Sequence, residues 1–92
     1  MDDKIILEID TSYNIISAIT RKLARENRDK LVVVINRGFF KDRDQIYIRG
    51  KNVIRFIESA RNEGYSAGGK RNVAGITLPK EKTDSFIEKI LK

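Results

Sequence analysis

Apolar and polar positions change their spacing several times along the chain, and each change marks an element. Lys4-Ile5-Ile6-Leu7-Glu8-Ile9-Asp10 is rich in isoleucine and closed by polar residues, which predicts a short strand. Thr11 or Ser12 can then cap a helix in which Ile15, Ile16, Ile19 and Leu23 share one apolar face. Arg21, Lys22, Arg25 and Arg28 crowd the second half of that helix, where cations oppose the helix dipole favourably. The unbroken run Leu31-Val32-Val33-Val34-Ile35 predicts a central strand covered on both faces. After Asn36-Arg37-Gly38 come Phe39-Phe40 and a charged tip, Lys41-Asp42-Arg43-Asp44. Gln45-Ile46-Tyr47-Ile48-Arg49 then alternates as the half-buried return strand of a hairpin.

Lys51 to Arg61 predicts a second helix with Val53, Ile54, Ile57 and Ala60 inward and Gly64 as its left-handed stop. Tyr65-Ser66-Ala67 enters a glycine-rich turn, and Val73 to Leu78 follows as a strand. Pro79 opens a last helix whose buried stripe is Phe86, Ile87, Ile90 and Leu91. The expected order is β-α-β-β-α-β-α. It describes one small α/β domain over residues 1–92, with a mixed sheet flanked by helices.

Composition narrows the chemistry. The chain has 92 residues, enough for one core that hides about 65% of the extended surface. It contains no histidine and no cysteine, which excludes imidazole and thiolate metal sites, thiol nucleophiles and disulfides. The carboxylates are scattered over predicted helix surfaces and tips. Neither a metal nor another cofactor is expected, and no enzymatic activity is expected of this chain alone. The longest apolar run falls far short of the ~20 residues a membrane span needs. The acidic N-terminus is unlike a signal peptide, so a cytoplasmic location is the expectation. Abundant Ile, Lys, Glu and Arg with a single Gln fit a heat-adapted organism.

Nineteen Lys and Arg against thirteen Asp and Glu give a net charge of +6, which favours polyanionic partners. The excess is local. Arg37, Lys41, Arg43, Arg49 and Lys51 face only Asp42 and Asp44, and Lys70, Arg71, Lys80 and Lys82 face only Glu81.

Within the second group lies Gly68-Gly69-Lys70-Arg71-Asn72-Val73-Ala74-Gly75. Glycines allow close backbone approach, and successive amides in a turn can form a concavity for an anion. Gly68, Gly69, Lys70, Arg71 and Asn72 are therefore expected to cradle phosphate, with Ala74 and Gly75 as small spacers. A β-branched residue at Gly75 is expected to damage the packing. Tyr47 and Tyr65 can stack on bases. If Phe39 and Phe40 lie on a strand, one of them is exposed as a protein contact or a homodimer interface.

This stretch resembles the Gly-Gly-His-x-x-Ala-Ala-Gly signature of the accessory domain in DHH-family phosphoesterases, which include RecJ-like single-strand nucleases. A similar domain occurs near the C-terminus of alanyl-tRNA synthetases. Lys70 stands in place of the family histidine, and Val73 in place of a frequent alanine. The likeness runs over roughly Thr11 to Leu91 and implies the same fold. It also implies that Arg49, at the end of its strand, joins the phosphate site. The expected function is a stand-alone module gripping single-stranded DNA or RNA, without the family's catalytic domain. Two alternatives remain at this level: an adaptor for replication or repair proteins, and a substrate clamp acting in trans for a separate DHH subunit.

Overall fold

The structure is a computed structural model that describes residues 3–92. Its elements are β1 (Lys4–Ile9), α1 (Ile16–Glu26), β2 (Leu31–Asn36), β3 (Arg43–Arg49), α2 (Ile54–Asn62), β4 (Ser66–Lys70), β5 (Val73–Pro79) and α3 (Lys80–Ile90). The strands form one mixed sheet in the order β1-β2-β3-β5-β4. β1 and β2 run parallel, and every other pairing is antiparallel. The α/β class and mixed sheet match expectation, with one strand more than the sequence suggested.

That strand is β4. Glycine is a poor strand former because it has no side chain to pack and much freedom to lose. Residues 66–70 nevertheless pair along their length with β5 and close a hairpin whose two-residue turn is Arg71-Asn72. Tertiary context overrides propensity here.

β2 behaves as its composition requires. Val33 and Ile35 join the larger core with Ile46, Ile48, Phe56, Ile57, Ile76, Leu78 and Phe86 beneath α2 and α3. Val32 and Val34 point the other way, against Ile16 and the inner face of α1. One continuous apolar strand thus serves two cores.

Three local expectations need correction. α1 begins at Ile16 with no side-chain cap. Thr11 is held instead by Asn36, whose amide receives the Thr11 N–H at 3.1 Å and donates to the Thr11 carbonyl at 3.1 Å. In α2, Ile54 points outward at 41% exposure, while Phe56 takes the inward position at 2%. The helix starts three residues later than Lys51, which rotates the buried stripe.

The third correction concerns the hairpin tip. β3 extends back to Arg43, and Asp44 is buried with its side chain 1% exposed. Its carboxylate accepts from Arg37 at 3.0 Å, Lys80 at 2.9 Å and the Thr83 hydroxyl at 2.7 Å. Arg37 also donates to Glu8 at 2.8 Å and Asp84 at 2.7 Å. Those bonds, to Glu8 first and Asp84 next, hold its guanidinium pKa above the ordinary value. The knot ties β1, β3 and α3 around the end of β2. In the exposed turn after α2, Lys89 draws the Glu63 carboxyl below its usual pKa, through its hydrogen bond first and its charge second.

Removing a buried carboxylate leaves its cationic partners uncompensated. Arg37 and Lys80 remain partly hydrated, at 28% and 35% side-chain exposure, so the full buried-pair cost does not apply. Asp44→Ala will therefore lower unfolding free energy by ~2–3 kcal/mol, measured by urea denaturation. A loss near zero would show that the knot does not hold the fold together.

Candidate nucleic-acid interface

The helices cover the sheet unequally. α2 packs on β4 and β5, and α3 on β5 and β3, all on the core side. α1 reaches only β2 and β3 on the other side. Among the described residues, no helix therefore lies over the outer face of β5 and β4. β5 records this as strict alternation: Ala74, Ile76 and Leu78 are buried, while Val73, Gly75, Thr77 and Pro79 are half-exposed.

Cross-strand register assigns the occupants of that open face. Tyr47 lies opposite Gly75, which lies opposite Gly68. Arg49, Val73 and Lys70 form the adjoining row, and Gln45, Thr77 and Ser66 the row on the other side. The two glycines leave a depression beside the tyrosine ring. The resulting trough, about 420 Å³, is lined by Phe40, Gln45, Tyr47, Gly68, Gly69, Val73, Gly75, Ile76 and Thr77. Its floor presents an aromatic ring and bare backbone, and Arg49 and Lys70 stand in the row at one end.

The structure brings Arg49, Lys70 and Asn72 together, but the expected amide cradle is absent. In a strand, successive N–H groups point to opposite sides. The Gly68 and Gly69 amides therefore cannot converge on one anion as a turn's would. Gly69 has a structural duty: its φ is +148°, and a Cβ added there would collide with the Val73 carbonyl oxygen. The Arg71-Asn72 turn is clamped by its carbonyls, which accept from Val53 N at 3.0 Å and Gly50 N at 3.1 Å. This clamp fixes the hairpin against the end of β3.

The clamp also forms a second, smaller pocket of about 200 Å³ lined by Ala24, Arg28, Arg49, Gly50, Lys51 and Asn72. Arg28 and Lys51 were not among the sequence candidates for this site. Lys51 lies two residues past Arg49 at the end of β3, whereas Arg28, which follows α1, is brought beside them only by the folded topology.

Ion pairing among the described residues concentrates at the Asp44 end of the sheet. The ion pairs among the described residues engage Arg37, Arg43, Lys80, Lys89 and Lys92. Arg37, Arg43 and Lys80, counted in the basic excess by sequence, are thereby largely neutralised. Arg28, Arg49, Lys51, Lys70 and Arg71 enter none of those pairs. They gather where β3 ends and the β4–β5 turn lies.

The aromatic expectations divide as well. Tyr65 packs edge-on against Phe86, with ring centroids 5.5 Å apart, inside the core. Tyr47 alone of the two remains on the open face. Phe39 and Phe40 are both half-buried and pack edge-to-face at 4.8 Å. Arg43 covers the Phe40 ring at 4.4 Å. The curled tip shelters both rings in part, and Phe40 also lines the trough.

No cluster of three or more acidic side chains suited to a metal occurs among the described residues. No helix among them is long and apolar enough to cross a membrane.

Comparison with known proteins bears on the fold. Neither a protein-family model nor a curated protein matches the chain. Among solved structures, the C-Ala domain of alanyl-tRNA synthetase from Aquifex aeolicus superposes with a TM-score of 0.63 at 14% identity. The match covers 95% of this chain and 84% of that domain. The chain therefore has the fold of a C-Ala domain. The resemblance to the accessory domain of DHH phosphoesterases is overturned by this finding, and the trans-acting DHH clamp falls with it. The glycine and alanine positions that suggested the DHH signature are explained by the β4–β5 hairpin: Gly69 by its backbone, Ala74 by full burial and Gly75 by the trough.

The glycines yield an ordered prediction. A Cβ at Gly75 would meet the Tyr47 ring at 3.4 Å, so a single methyl group fits there beside the ring. Gly75→Ala will change unfolding free energy by less than ~1 kcal/mol while partly filling the trough. Gly69→Ala, forced onto a backbone carbonyl at positive φ, will cost ~1–3 kcal/mol. Thermal and urea unfolding of both variants check the order, and equal losses would contradict it.

Proposed function

We propose that this chain is a nucleic-acid-binding module that holds a single strand across the open β3–β5–β4 face and has no catalytic centre of its own. The observation that carries this reading is the pairing of that face with the free cations. A Tyr47-floored trough ends at Arg49 and Lys70, and Arg28 and Lys51 lie just beyond. A base has a π-face for Tyr47, and the flanking phosphates meet the cations, an arrangement that grips backbone with little reading of sequence. The shallow glycine floor lets a strand lie close to the sheet. RNA is the first ligand class to test, because the domain of similar fold belongs to an enzyme whose name specifies tRNA. The absence of His and Cys from the sequence supports binding without chemistry.

Fluorescence anisotropy with labelled single-stranded RNA and DNA at several salt concentrations tests the proposal. Affinity falls as salt rises, with a slope of ~0.7 per phosphate contacted. Arg49→Ala/Lys51→Ala weakens binding and flattens that slope by about one to two contacts. Lys89→Ala/Lys92→Ala, on exposed α3 and the C-terminus, leaves both unchanged. No binding at low salt, or equal loss from both double variants, would overturn the assignment.

The aromatic contribution separates from the electrostatic one. Tyr47→Leu retains an apolar contact to the α1 core yet removes the stacking ring. It will cost ~1–3 kcal/mol of binding free energy without altering the salt slope. Unchanged affinity would remove Tyr47 from the interface.

A further inference from the structure

The sheet has two edges, and they differ in how they are closed. At β4, Arg61 reaches round to donate to the outward Ala67 carbonyl at 2.9 Å, and Gly69 breaks the regular backbone. Blocked and irregular edges resist pairing with another chain. β1, the other edge, carries no such device among the described residues. It is a regular six-residue strand with Ile6 51% and Leu7 36% exposed.

Its outward polar groups can be assigned. The Asp3 and Ile9 carbonyls accept from Leu31 N at 2.8 Å and Arg37 N at 2.9 Å, so these odd-numbered residues bond inward to β2. Backbone groups alternate along a strand, which turns the N–H and C=O of Lys4, Ile6 and Glu8 outward. In an antiparallel pair, outward residues must meet outward residues. A second β1 centred on Ile6 satisfies all of them at once: Ile6 faces Ile6, and each Lys4 faces a Glu8. Shifting the register by two residues leaves one outward residue of each strand without a partner.

Side chains favour the same register. Lys4, Ile6 and Glu8 share one face of β1, opposite Leu31, Val33 and Ile35 of β2. The pairing therefore joins two half-exposed isoleucines in the middle and sets Lys4 across from Glu8 at both ends, where within one copy Lys4 donates to the Leu91 carbonyl at 3.0 Å and Glu8 accepts from Arg37 at 2.8 Å. Leu7 faces Ile5 of the other copy on the reverse side. We propose that two copies of this chain pair through β1, antiparallel and centred on Ile6, making one sheet continuous through both. The two-fold axis is perpendicular to such a sheet, so both open faces lie on the same side.

Sedimentation velocity without nucleic acid, over micromolar to sub-millimolar chain, tests the pairing independently of the proposed function. The parent will shift from one-chain to two-chain mass as concentration rises. Ile6→Pro removes only an outward N–H, and proline is tolerated on an edge where its nitrogen faces away from the ladder. It will stay at one-chain mass with the parent's helical circular dichroism. Ile6→Lys, which sets two cations side by side at the centre, gives the same result and serves if the proline variant fails to fold. A parent that stays at one-chain mass throughout would overturn the pairing. Ile6 variants that associate as the parent does would overturn it too, as would loss of association in Phe39→Ala/Phe40→Ala alone.

Discussion

Three helices cannot cover both faces of a five-stranded sheet, and where the cover stops decides the rest of this molecule. α2 and α3 share the core side, and α1 shields only β2 and β3 on the other. The outer face of β5 and β4 is left open. Backbone there must be protected by pairing alone, which the hairpin and the Arg71-Asn72 clamp achieve. Small side chains follow from the same constraint, since Gly75 and Gly68 leave Tyr47 accessible beside them. At the covered end of the sheet, Asp44 gathers Arg37 and Lys80 into the fold. At the opposite end, Arg28, Arg49, Lys51, Lys70 and Arg71 enter no ion pair among the described residues, although Asp3 and Asp29 lie beside Arg28 and Lys51.

The sequence was most legible where one physical demand acted alone. Leu31–Ile35 has to be buried on both faces, and no other element would hide five consecutive apolar side chains in so small a chain. Gly64, at φ +86°, ends its helix as a glycine in left-handed backbone does. Lys70 was recognised by its place in the glycine-rich stretch and Arg49 through the family resemblance, and the register through Val73 is what puts them in one row.

Legibility failed where two demands competed. Gly68-Gly69 looks like a turn because glycine disfavours strands, yet the ladder to β5 and the support of α2 outweigh that preference. Ile54 and Phe56 both satisfy a helical stripe, and only the start of α2 chooses between them. Asp44 reads as a charged tip residue because burying a carboxylate is costly. The partners that compensate it come from Arg37, Lys80 and Thr83, the latter two distant in sequence. Arg28 and Lys51 stood out in the sequence only as members of basic clusters, and nothing there tied Arg28 to Arg49. The DHH-like pattern shows the hazard of short motifs: glycines placed by hairpin geometry imitate glycines placed by a ligand.

If the open β3–β5–β4 face and its cationic end form the binding surface, a bound strand must perturb the backbone there before anywhere else. Amide chemical-shift mapping during titration with a short single-stranded RNA reads that out residue by residue. The largest shifts are expected at Tyr47, Arg49, Gly50, Gly68, Lys70 and Gly75, fading across α3 and β1. Shifts concentrated on α3 or β1, or none at low salt, would contradict the assignment of that face.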